Sequence, residues 1–264
     1  MALIKAIVIG GSLVAIGGGG GYYIFTLFDE PAPKVSIKEA TAGKFGDDFQ
    51  LHFMDATGNE NDIWWQTRFE HIESIGTLQN NGKTNEDELL SDEFKKNVIN
   101  NIEKLKEVCR TAYGKATSEI HIPGDASSDK ENKKKYEQNI WSFCSIEGSM
   151  PITVESSEQD EYKKYKTGGT DVAKFGGTKK ESLISTKDEK NNLFWEIQAK
   201  AFFAGKINLS ESTSAFKTLK EKSDKAQKTV EALKEACESK YQSTGTEQDT
   251  LKVCSLKGKN HAGN

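Results

Sequence analysis

The feature that most constrains this chain is a pair of cysteine motifs that occurs twice. Leu105-Lys106-Glu107-Val108-Cys109, followed by Tyr113, returns as Leu233-Lys234-Glu235-Ala236-Cys237, followed by Tyr241. Each copy ends an apolar stripe with helical spacing, and each is followed by a second motif. Phe143-Cys144-Ser145-Ile146-Glu147-Gly148 is answered by Val253-Cys254-Ser255-Leu256-Lys257-Gly258, so all the cysteines occupy matching places in two repeats. The duplication begins well upstream of the cysteines. Lys44-Phe45-Gly46 corresponds to Lys174-Phe175-Gly176, and the copies run without a gap to Asn61-Asp62-Ile63-Trp64-Trp65 and Asn191-Asn192-Leu193-Phe194-Trp195.

A chain of 264 residues accommodates two such modules of roughly a hundred residues each, and each can hold only a modest core. Apolar residues make up 35% and charged residues 29%, a polar balance, but the regular apolar spacing argues for folded modules. The net charge of -4 gives no electrostatic footprint for nucleic acid. Arginine, whose fork suits phosphate and base edges, occurs only at Arg68 and Arg110. Nucleic acid is therefore excluded as a partner.

Four cysteines allow three pairings. Only Cys109 with Cys144 and Cys237 with Cys254 keeps each bridge inside one copy, as the duplication of one bridged module requires. Each closure is worth roughly 3 kcal/mol in the chain-entropy model. Disulfides imply an oxidising compartment, and the N-terminus supplies a route to one. After Lys5 the chain is uncharged from Ala6 to Phe28, long enough as a helix to cross a bilayer core of roughly 30 Å. Residues 1–28 are thus predicted to form an uncleaved transmembrane signal anchor in contact with membrane lipid, placing the C-terminal region outside the cell membrane.

Residues 29–43, which carry Pro31 and Pro33, then read as a stalk. The first module is expected over 44–155, a charged linker over 156–173, the second module over 174–258 and a disordered tail over 259–264. In each module a helix follows the aromatic pair, carrying Ile63, Trp64, Phe69 and Ile72 in one and Leu193, Phe194, Ile197 and Phe202 in the other. A long helix follows. Phe94, Val98, Ile102, Leu105, Cys109 and Tyr113 share a face from a Ser91 cap to Gly114, and Phe216, Leu219, Ser223, Ala226, Val230, Leu233, Cys237 and Tyr241 keep the same rhythm. Asp125 to Lys135 reads as a solvated loop, and each second cysteine as part of a short strand-like run. Met150-Pro151-Ile152-Thr153-Val154 reads as a further strand-like run of the first module. The expected fold is mainly α, with a minor α+β element in each module.

Chemistry-bearing patterns are sparse. His52, His71, His121 and His261 show no paired metal spacing, and no nucleophile elbow or phosphate loop is present. No catalytic, cofactor-binding or metal-binding residue is assigned, and the chain is expected not to be an enzyme. Trp65, Trp141 and Trp195 are expected in the core, with Trp64 the most exposed of the tryptophans.

The Gly-rich N-terminal span, the Lys-rich and Arg-poor ectodomain, and the repeated Leu-Lys-x-x-Cys and Cys-Ser-Leu/Ile-x-Gly motifs together resemble the large paralogous families of uncharacterised, membrane-anchored surface proteins of haemotropic mycoplasmas. The resemblance covers most of the chain, though its motifs are short, and it lends no catalytic residue. It implies surface display, with host contact, through a host protein partner, or antigenic display as the expected function. A structural envelope protein and an extracellular enzyme are the rival readings.

Overall fold

A computed structural model of the chain describes residues 7–9, 12–15, 23–25, 34–77, 79–80, 83–157, 161–165, 174–210, 215–245 and 248–262. The expected membrane helix requires correction. Among the described residues no helix is long and apolar enough to cross a membrane. The described pieces of 1–28 are instead short strands, β1 (Ile7–Ile9), β2 (Ser12–Ala15) and β3 (Tyr23–Phe25), paired antiparallel with Ile7 opposite Val14 and Leu13 opposite Phe25. The rest of that segment lies outside the described residues, as do 29–33 of the expected stalk.

The remainder of the chain is mainly helical and divides into two compact units. One holds the residues up to Ala116 together with Asp125–Met150, and the other holds Thr117–Gly124 together with Pro151 onward. In the first unit the elements are α1 (Phe45–Asp48), α2 (Asp62–Thr77), a hairpin of β4 (Gln79–Asn80) and β5 (Lys83–Thr84), α3 (Asn85–Leu89), α4 (Ile102–Tyr113) and α6 (Lys130–Cys144). The second unit takes α5 (Thr117–Ile120), then α7 (Phe175–Thr178), α8 (Asn192–Phe203), α9 (Ala215–Glu221), α10 (Val230–Tyr241) and α11 (Gln248–Cys254).

The two expected long helices are each broken, at corresponding places. The Asn101 side chain accepts from Lys104 N at 2.9 Å and starts α4, and Thr229 Oγ1 accepts from Ala232 N at 3.1 Å and starts α10. A short polar side chain that satisfies an orphan N–H favours a helix start over helix continuation. The Ser91 side chain makes no such bond, and only a 3-10 turn, Asp92–Phe94, follows it.

The cores are aromatic. Phe45, Phe49, Phe53 and Trp141 cluster in the first unit with ring centroids 4.9 to 6.4 Å apart, all nearly fully buried. On α2 the residues Trp64, Trp65, Arg68, His71, Ile72 and Ile75 face inward, a helical stripe that turns Ile63 out to 70% exposure. Trp64 is therefore buried, at 2% exposure, where the sequence had suggested it was the exposed tryptophan. Leu193, at the corresponding place on α8, is 39% exposed, so the apolar residue opening each helix faces solvent rather than the core.

Three further expectations change. The polar stretch after Asp125 becomes helical from Lys130, with Lys133 bonded to Asp125 and Lys135 to the carbonyl of Asp87, so the triple lysine stays on a hydrated face. Cys144 and Cys254 end helices, so both bridges join helix to helix. What remains of the strand-like segments is single bridges, Phe53 with Ser145, Thr153 with Ile184 and Leu183 with Ser255. Finally, the run around Ile152 opens the second unit rather than ending the first, because it bonds to Asn191, Leu183 and Ser185. Its counterpart in the first unit is Val35 to Ile37, which the sequence had placed in the stalk.

Candidate functional site

The cysteines sit where the repeat puts them. Cys109 is bridged to Cys144 with Cα atoms 5.8 Å apart, and Cys237 to Cys254 at 6.0 Å, across sequence separations of 35 and 17. Each bridge ties the stripe of one helix to the end of a later helix of the same unit, α4 to α6 and α10 to α11. All four cysteines are fully buried, so no thiol is presented as a nucleophile.

Around each bridge lies the same buried hydrogen-bond framework. Asn61 Nδ2 donates to Val35 O at 2.8 Å and to Asp55 O at 3.0 Å, while Val35 N donates to Asn61 Oδ1 at 3.0 Å. In the second unit Asn191 Nδ2 donates to Ile152 O at 2.8 Å and to Ser185 O at 2.9 Å, and Ile152 N donates to Asn191 Oδ1 at 2.7 Å. Trp65 Nε1 donates to Asp55 O, and Trp195 Nε1 to Ser185 O. Tyr113 OH donates toward the carbonyls of Met54 and Cys144 at 3.0 and 3.2 Å, as Tyr241 OH does toward those of Ile184 and Cys254 at 2.9 and 3.0 Å. Met54 N and Ile184 N complete the pattern by donating to the carbonyls of Cys144 and Cys254. The residues the copies share, Asn61/Asn191, Trp65/Trp195, Tyr113/Tyr241 and the cysteines, are thus the ones that satisfy buried backbone groups.

Inside that shared frame the first unit carries a polar cluster of its own. His52 Nδ1 meets Glu147 Oε1, with the two side chains 2% and 6% exposed. Arg68 lies with its guanidinium carbon 4.7 Å from the centre of the Trp64 ring. One turn on, the His71 ring meets the Phe143 ring edge to face at 5.7 Å, and neither of its nitrogens has a hydrogen-bond partner among the described residues. Burial, and then the charge of Arg68, hold the His71 imidazole down to about 4. Glu147 Oε2 is likewise buried without a partner among the described residues.

At the corresponding places the second unit has Ser182, Lys257, Gln198 and Ala201. Gln198 Nε2 donates to Val253 O at 2.6 Å, and Ser182 Oγ lies 2.9 Å from His121 Nε2. A hydroxyl beside an imidazole is the geometry of a nucleophile and its base, but both residues are at most 4% exposed, where no substrate reaches. His52 and Glu147 are sealed in the same way. Among the described residues no three His, Cys, Asp or Glu side chains gather as a metal set. These polar pairs act as ties within the core.

Sequence spacing did not find these groups, since the histidines are far apart along the chain. The signal was nevertheless present, because His52 falls in the gap-free alignment opposite Ser182, and Arg68 and His71 follow at the same offset of 130 opposite Gln198 and Ala201.

Together these features define a tandem pair of small, mainly helical, disulfide-closed modules with one buried framework and two different interiors. No protein-family model matches the chain, nor does any curated protein or solved structure.

Proposed function

We propose that this is an exported protein displayed at the outer face of the cell membrane, where its two modules serve host contact or antigenic display. The observation that carries the reading is one disulfide-locked framework bearing two different surfaces. Burial follows the same pattern along 61–68 and 191–198, yet the outward positions around it diverge and even change sign, as with Glu60 and Lys190 or Glu70 and Lys200. A scaffold kept while its solvent face is rewritten suits recognition or display, since a catalytic role would hold particular polar groups in an open cleft. Disulfides in both modules suit an oxidising exterior. The uncharged run of residues 6–28 supplies contact with membrane lipid, and the resemblance to haemotropic mycoplasma surface families supports the same placement.

Protease shaving of intact cells tests this directly. Peptides from 34–262 should be released without lysis, and alkylation before lysis should label no cysteine until a reductant is added. Protection of those residues in unbroken cells, or four reactive thiols in freshly quenched cells, would overturn the reading.

A further inference from the structure

We propose that His71 makes the first module acid-releasable: protonation of its buried ring frees helix α2 from the disulfide-tied pair α4 and α6, while the second module stays closed. His71 is 7% exposed, its ring edge meets Phe143, and neither ring nitrogen has a hydrogen-bond partner among the described residues. A neutral imidazole tolerates such a place at modest cost, whereas an imidazolium would be a desolvated cation one turn from Arg68.

Apart from Glu73 and Glu137, the charged groups on the surrounding elements pair with other groups or are exposed. On α2, Glu70 accepts from Gln66, Asp62 accepts from Lys106, and Glu73 is half-buried. On α3, Glu86 accepts from Lys96 N, Asp87 pairs with Lys95, and Glu88 is exposed. On α4, Glu103 lies near Lys106, Lys104 pairs with Glu107, and Arg110 donates to Ala56 O. On α6, Glu137 is buried, and just beyond the helix Glu147 meets His52. Among the described residues, the charge that acts on the His71 ring is the positive charge of Arg68.

The sign follows from these facts. Burial and Arg68 hold the packed ring at about 4, against an ordinary 6.5, so the packed form is fully favoured above the ordinary value and loses ground as pH falls toward 4. Between about pH 7.5 and about pH 4.5 the released form gains about 70-fold. The second module holds Ala201 at this position and has no equivalent proton to take up. Release is bounded, because Cys109–Cys144 keeps α4 tied to α6 while α2 lies outside the loop that bridge closes. Freed α2 would present Trp64 and Trp65 to solvent.

Hydrogen exchange on the oxidised full-length chain, corrected for the intrinsic pH dependence of exchange, tests the proposal. Peptides from α2 should lose about 70-fold in protection at the lower pH, peptides from α8 should not, and His71→Phe should keep α2 protected. Equal losses in α2 and α8, or a His71→Phe protein that loses as much as the wild type, would overturn it. If His71→Phe does not fold, histidine NMR titration of the wild type decides. A His71 midpoint near the ordinary 6.5 sinks the proposal, and a depressed midpoint coinciding with loss of α2 protection upholds it.

Discussion

Replacing Asn61 by alanine would strip the Val35 N–H of its acceptor and remove two donors from buried carbonyls, each of which keeps one other partner. The orphaned N–H dominates, so the expected cost is about 2–3 kcal/mol to the first module, and Asn191→Ala should cost the second about as much. Denaturant unfolding followed by exchange in the two modules separately would check both. Losing the hydroxyl alone should matter less: Tyr113→Phe is expected to cost about 1 kcal/mol, since the Cys144 carbonyl still accepts from Met54 N. Gly46 is constrained for a different reason, because a Cβ there would lie 2.7 Å from the Cβ of Tyr113. Gly46→Ala should therefore destabilise by roughly 1–3 kcal/mol through forced repacking. Breaking the exposed Lys38–Glu60 pair with Lys38→Ala should leave the melting temperature unchanged, which makes it the control.

At the scale of elements, the bridges differ in the span they close and so in what they contribute. With separations of 35 and 17, the chain-entropy relation gives about 4 kcal/mol for Cys109–Cys144 and about 3 kcal/mol for Cys237–Cys254. Removing both cysteines of a pair should destabilise that module by about this amount, read by urea titration of the double alanine variants. Cys109→Ala alone should leave Cys144 as the free thiol with the second bridge intact, which peptide mapping would detect. The pairing and the helical stripes were legible in the sequence because duplication and apolar period are local patterns. The helix breaks were legible only in part, since a stripe interrupted by a cap keeps its rhythm across the gap, as Val98 to Leu105 does across Asn101. Val35 and Ile152 were misassigned because a short extended segment acquires its meaning from distant partners, here Asn61 and Asn191. The interior polar groups were hidden because burial of His71 or Ser182 is a property of the packed unit.

Taken as a whole, the chain puts a piece of its first repeat into its second unit. Thr117, Ile120 and His121 are buried there, and His121 reaches Ser182. His121→Ala should therefore reduce exchange protection around Ser182 and leave α2 unaffected, although residue 121 lies between the cysteines of the first repeat. The unequal loops behind the two bridges have a further consequence. Doubling a loop adds only about 0.6 kcal/mol of closure entropy, so the stretch between paired cysteines can gain or lose sequence while the residues that clamp its ends stay put. Insertions at the exposed points of that stretch add little closure entropy, so a lineage could lengthen it there, around the buried Ile120, His121, Ile140 and Trp141, without having to invent a new fold.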